Sequence, residues 1–94
     1  MIHELKCNSR YFQEIRKGPK NFEVRKNDRE FHVGDLLALN EVNDEGEYTD
    51  VSIMAQITYI LRDPEYCKEG HVIMALDDRI IISKGEDNEV NYTR

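Results

Sequence analysis

Between residues 51 and 61 the chain reads VSIMAQITYIL, in which positions 51, 53, 55, 57, 59 and 61 are all apolar or aromatic. A period-two pattern of this kind belongs to a β-strand with one face against a core, so the odd positions are expected to point inward. Such a strand needs partners. On its N-terminal side the run Leu36–Val42 is apolar enough for a central strand, and Asn43–Glu47 has the composition of a hairpin loop, after which Tyr48–Asp50 leads into the long strand. On its C-terminal side His71–Asp77 reads as another strand, and Ile80–Ile82 as a further short pairing or a lid over the end of the sheet. The interval Asp63–Gly70 is too short and broken for a linker and reads as a surface loop or a single helical turn.

Upstream, residues 3–7 alternate weakly, with Leu5 and Cys7 on one side of a short first strand. Asn8 or Ser9 offers the side-chain oxygen that caps a helix, expected over Ser9–Lys17 with Tyr11, Phe12 and Ile15 as its apolar stripe. Gly18 suits the left-handed position after the last turn and Pro19 cannot extend the helix, so its end is well specified. Lys20–Lys26 then reads as a strand with Phe22 and Val24 inward and Asn21, Glu23 and Arg25 on the other face. Asn27-Asp28-Arg29 carries turn chemistry, the alternation resumes at Phe31 and Val33, and Gly34-Asp35 breaks it. Five or six short, mainly antiparallel strands with one early helix make an α+β, mostly β architecture: a small, partly closed barrel with the helix packed at an end.

At 94 residues there is room for one domain, expected over residues 1–82, with residues 83–94 a polar, flexible tail. No apolar run approaches the ~20 residues that span a bilayer, and the N-terminus carries no secretory pattern, so a cytoplasmic protein is expected. Cys7 and Cys67 form no CxxC pair and are expected to be reduced, partly buried and inert. His3, His32 and His71 are far apart in sequence, which gives no metal motif, and no phosphate loop or glycine-flanked nucleophile points to a cofactor or a nucleotide hydrolase.

Charge is unevenly spread. Residues 6–29 hold eight basic and three acidic side chains, a local balance of +5, whereas the rest holds five basic and sixteen acidic, and the whole chain carries −6. The cations concentrate at the helix-to-strand junction, in Lys20, Arg25, Lys26 and Arg29, with Glu23 and Asn27 among them and the aromatics Tyr11, Phe12, Phe22 and Phe31 nearby. Cations beside an aromatic ring hold phosphates and stack bases, which points to RNA or a nucleotide-like ligand on Lys20, Glu23, Arg25, Lys26, Asn27 and Arg29. The plainer reading makes Phe22 and Phe31 core residues and Glu23–Arg25 an ion pair worth ~0–1 kcal/mol if exposed. The acidic balance of the whole chain weighs against duplex DNA, whose sequence-independent affinity comes from phosphate neutralisation. An acidic face or a free strand edge would instead serve a protein partner.

The residues that carry this constellation also carry a resemblance. His3-x-Leu5-Lys6, Tyr11-Phe12, Gly18-x-Lys20-x-Phe22-Glu23-Val24-Arg25-Lys26-Asn27-Asp28-Arg29, Val33-Gly34-Asp35 and Gly70-His71-Val72 resemble the ASCH domains of the PUA-like superfamily, in particular a small bacterial and phage branch of unknown function. The resemblance runs from about Ile2 to Asp77 and implies a pseudobarrel of five or six strands with a cleft at the helix-to-strand junction and RNA or nucleotide binding. Some ASCH proteins are amidohydrolases that deacetylate N4-acetylcytidine, with a working lysine at the position of Lys20. That would make Lys20 and Glu23 the catalytic pair here, although Glu23 stands where those enzymes have threonine. Their further glutamate lies in an insertion that shrinks here to Asp63–Gly70, where Glu65 and Glu69 are no residue-by-residue match. Strict alternation would also place Glu23 on the strand face opposite Lys20, leaving the lysine as an anion ligand rather than a base.

Overall fold

Strand patterning and helix punctuation act on the same short chain, and the resulting order of elements is set out in a computed structural model that describes residues 1–84 and 90–93. The elements are β1 (Ile2–Asn8), α1 (Ser9–Lys17), β2 (Phe22–Lys26), β3 (Leu36–Val42), β4 (Tyr48–Leu61), β5 (His71–Lys84) and β6 (Val90–Thr93). Five strands lie in the order β1-β3-β4-β5-β2, with β6 paired to β5. The β1–β3 pair is parallel and the others are antiparallel. The sheet curls into a half-barrel whose terminal strands, β1 and β2, are joined by α1 and face each other across an open seam. Among the described residues no helix is long and apolar enough to cross a membrane.

The core follows from which side chains turn inward. His3, Leu5 and Cys7 of β1 are buried, as are Leu37 and Leu39 of β3, Ile53, Ala55 and Ile57 of β4, and Val72, Met74 and Leu76 of β5. Phe12 and Ile15 of α1 cover one end. The helix begins at Asn8, whose Oδ1 accepts the Arg10 N–H at 3.0 Å. It ends at Gly18, where φ of 107° requires a residue without a Cβ and the Gly18 N–H bonds the Ile15 carbonyl. Tyr11 departs from the expected apolar stripe and is 48% exposed, turned toward the seam.

Three expectations about strands are corrected. First, β2 begins at Phe22 rather than Lys20 and presents the opposite face: Phe22 and Val24 are exposed and Glu23 is buried. The inner side of this edge strand is the floor of the seam, where Glu23 meets two cations, while the apolar core beneath β5 is already filled by Val72, Met74 and Leu76. Second, the alternation at Phe31 and Val33 builds no strand. Phe31 is buried and Val33 exposed in a loop held by the buried Asp35, which pairs with His3 Nε2 at 2.8 Å and accepts the His32 N–H. Third, β4 does not keep its odd positions inward to the end. A register shift between Ile57 and Tyr59 inserts an extra residue at Thr58, so Tyr59 turns outward and Ile60 packs on the core.

Ile80–Ile82 belong to one continuous β5 that passes through Asp78 at φ 51° and pairs with β4. The expected tail, residues 83–94, contributes Ser83 and Lys84 to β5 and residues 90–93 to β6, while 85–89 and 94 lie outside the described residues.

Candidate functional site in the open seam

The seam is built by the ladders on either side of it. In the parallel β1–β3 pair the Leu36 N–H bonds the Met1 carbonyl, so alternate residues of β1 turn their main-chain groups to β3 and the others turn theirs away. In the antiparallel β2–β5 pair the bonds Leu76 N–H to Asn21 O and Asn27 N–H to Gly70 O fix the bonded rungs at residues 21, 23, 25 and 27. The main chains of Glu4 and Lys6 on one side, and of Phe22, Val24 and Lys26 on the other, therefore open into the seam. Two arginines from the β2 side reach across it: Arg25 Nη2 donates to the Lys6 carbonyl at 2.6 Å, and Arg29 Nη1 to the Glu4 carbonyl at 3.5 Å.

The resulting cleft has a volume of about 1110 Å³. Lys20 stands at one end, on the short connection between α1 and β2. Its N–H bonds the Glu14 carbonyl, and its own carbonyl accepts from Arg79 Nη1, which also reaches Ile15 O. The main chain of Lys20 is thus fixed independently of its side chain. The Nζ lies 5.1 Å from the Tyr11 ring centroid and 5.4 Å from that of Phe22, within cation–π range of both, and 3.2 Å from Glu23 Oε1. Because the strand starts two residues later, alternation does not apply to Lys20, and the lysine and Glu23 share one face after all.

Glu23 is 3% exposed and takes a second cation, Arg25, at 2.6 Å on Oε2. A buried carboxylate is tolerable only when paired and hydrogen-bonded, and both oxygens meet that condition. Cys7 also lines the cleft; burial first, and the neighbouring charge of Glu23 next, push its thiol up to about 11, so it remains protonated and unreactive near neutral pH.

Of the residues singled out from sequence, Lys20, Glu23, Arg25, Lys26 and Arg29 line the cleft. Asn27 does not; it sits beyond the seam, where its Oδ1 accepts from Arg62 Nη1 at 3.4 Å. Phe12 and Phe31 are core, and Tyr11 and Phe22 are the rings that flank the site. Sequence reasoning missed Lys6, Glu4 and Arg79, which come from elements remote in the chain, and Glu14 of the helix just before Lys20. Three of the eight basic side chains of residues 6–29, Arg10, Arg16 and Lys17, stay out of the lining and Glu4 joins it, so the cleft holds five basic side chains, Lys6, Lys20, Arg25, Lys26 and Arg29, against four acidic ones, Glu4, Glu14, Glu23 and Asp28. The cleft is close to balanced rather than strongly basic. Glu65 and Glu69 are absent from its lining, and among the described residues no three His, Cys, Asp or Glu side chains converge as a metal site.

Residues 2–76 match the family model described as "Domain of unknown function (DUF3850)". The chain belongs to the DUF3850 family. The matched span contains every residue that lines the cleft and stops short of Arg79, which braces Lys20 from outside it. This DUF3850 chain is similar to the "Uncharacterized 12.9 kDa protein in GpA 3'region" of Escherichia phage P2, with 40% identity over 57 residues. That match takes in 61% of this chain and 51% of the phage protein, so the chain spans about half the length of the curated relative it matches.

Proposed function

We propose that this DUF3850 domain is an ASCH-type, PUA-like module whose open seam binds a nucleotide-like unit, either free or as part of a single-stranded RNA. The observation that carries this reading is Lys20, held between the exposed rings of Tyr11 and Phe22 at the mouth of a cleft large enough to admit a nucleotide. A base stacks on a ring face and a phosphate takes the lysine. The balanced lining fits a ligand with one phosphate and a polar base better than a dense run of phosphates, and the free main-chain groups of β1 and β2 offer donors and acceptors to the base edge. The half-barrel with a helix at the seam and the GPKNFEVRKNDR resemblance support the superfamily assignment.

The test is binding of single-stranded RNA hexamers at two salt concentrations. Removing Lys20 and Arg25 alone would strand the carboxylate of Glu23, so Lys20→Ala with Arg25→Ala is made in a Glu23→Gln background and compared with Glu23→Gln. Affinity should fall, and the salt dependence should flatten by about one unit of slope for each phosphate left without a cation. Equal affinity and equal slope would remove the seam from consideration.

A second reading is favoured by one approach, that of Lys20 Nζ to Glu23 Oε1 at 3.2 Å. A lysine beside a buried carboxylate is a pair that could relay a proton during attack on an N4-acylated cytidine. Release of acetate from N4-acetylcytidine by the purified domain, abolished in Lys20→Ala, would establish it. Absence of acetate with intact RNA binding would leave the binding module alone.

A further inference from the structure

The extra residue at Thr58 brings an aromatic ring to a face where plain alternation would have hidden it. Phe22, Ala75 and Tyr59 stand directly opposite one another across β2, β5 and β4, so their side chains share the outer face of the sheet. Phe22 is 42% and Tyr59 62% exposed, and only a methyl group lies between them. With adjacent strands about 4.8 Å apart, the two rings rise from backbones about 10 Å apart; one flat ring at carbon contact distance from both needs about 7–8 Å, so it fits once each ring leans inward by about 1 Å. The next row, Val24, Ile73 and Leu61, closes one end with apolar side chains. Asn21, Asp77 and Arg79 line the other end with polar groups, around a depression of about 510 Å³.

This slot is not isolated from the seam. Phe22 belongs to both, and its ring carries Lys20 Nζ at 5.4 Å on the side of the cleft. A planar ring seated in the slot therefore lies one aromatic side chain away from a ligand in the seam, with a cation at the junction. Bulges recur where a sheet re-aims a side chain at a binding site, and here the re-aimed side chain supplies one wall.

We propose that the Phe22–Ala75–Tyr59 slot is a second base-binding subsite, which stacks the base of a nucleotide adjoining the one in the seam, so that the ligand is a single-stranded RNA rather than a free nucleotide. This rests on the nucleotide reading of the seam. The slot accepts one ring thickness, its polar end meets the edge of a base, and Lys20 lies where the linking phosphate passes.

The full chain is titrated with a random-sequence single-stranded RNA hexamer and, separately, with an equimolar pool of the four nucleoside monophosphates. Tyr59→Ala is compared with Tyr59→Phe and wild type, and sedimentation is recorded for each. Loss of one stacked base corresponds to about a 5- to 150-fold weakening, so Tyr59→Ala should lose that much hexamer affinity while Tyr59→Phe stays within about twofold of wild type. Monophosphate binding should be the same in all three. Hexamer binding by Tyr59→Ala at wild-type strength overturns the slot and leaves the seam reading standing. Equal loss for hexamer and monophosphate, or a loss that accompanies a change of oligomeric state, also overturns it, the latter by making the face a contact between protein chains. If neither probe binds the wild type, the seam reading fails and the slot with it.

Discussion

Two buried carboxylates with different partners show how single residues set the properties of this domain. Glu23 is met by Lys20 and Arg25, and this arrangement fixes both cations at the cleft rather than letting them wander through solvent. Asp35 is met by His3 Nε2 and the His32 N–H on Oδ2, and by the N-terminal ammonium at 3.3 Å on Oδ1. The bond from His3, ahead of the opposing effect of burial and the further bond from His32, lowers the Asp35 pKa from 3.8 to about 2. A folded value below the unfolded one means that the fold favours the charged form. The stabilisation from Asp35 is therefore complete above about pH 4, declines as pH falls from there and is gone below about pH 2. Urea midpoints of wild type should drop more steeply through that window than those of Asp35→Asn, whose side chain does not titrate. Parallel declines would mean that Asp35 contributes nothing to acid lability.

At the scale of elements, what could be read from sequence depended on whether the signal was local. The bounds of the helix are legible, because a capping side chain at Asn8 or Ser9, the Phe12–Ile15 pair, Gly18 and Pro19 mark start, face and stop within one short segment, although Tyr11 leaves the apolar stripe for the seam. β3 and the Asn43–Glu47 hairpin were equally plain; Asn43 Oδ1 accepts the N–H groups of Glu45 and Glu47 and closes the loop. The facing of β2 differs from the one alternation implies because two patterns compete in FEVRK. Hydrophobic alternation puts Phe22 and Val24 inside, but the inner side of an edge strand at an open seam is a polar place, and the cations of Lys20 and Arg25 make it hospitable to Glu23. The bulge at Thr58 left no mark in the sequence, since an inserted residue shifts parity without requiring any particular side chain. Hence alternation alone places Tyr59 in the core and hides the outer slot. The site was legible as far as charge ran along the chain: Lys20, Arg25, Lys26 and Arg29 converge, whereas Glu4, Lys6 and Arg79 join them only through the topology. The cleft is less basic than the segment because Arg10, Arg16 and Lys17 stay out of its lining while Glu4 joins it.

For the molecule as a whole, the decisive feature is that the barrel is not closed. β1 and β2 run side by side without sharing a ladder, and the guanidinium groups of Arg25 and Arg29 take the place of main-chain hydrogen bonds by capping the Lys6 and Glu4 carbonyls. That arrangement satisfies acceptors but supplies no acceptor for the β1 amides on the same side. An open seam therefore predicts an alternating pattern of amide hydrogen exchange. The N–H groups of Leu5 and Cys7, turned to β3, and of Glu23 and Arg25, turned to β5, should be protected; those of Glu4, Lys6, Val24 and Lys26 should exchange fast. Uniform protection along both strands would show that the seam closes in solution and that the cleft is too narrow for a base. With the alternation present, adding the RNA hexamer should slow the fast set selectively, because a ligand that uses the strand edges must cover the very amides that the unclosed barrel leaves free. Slowing confined to surface loops would place the ligand elsewhere.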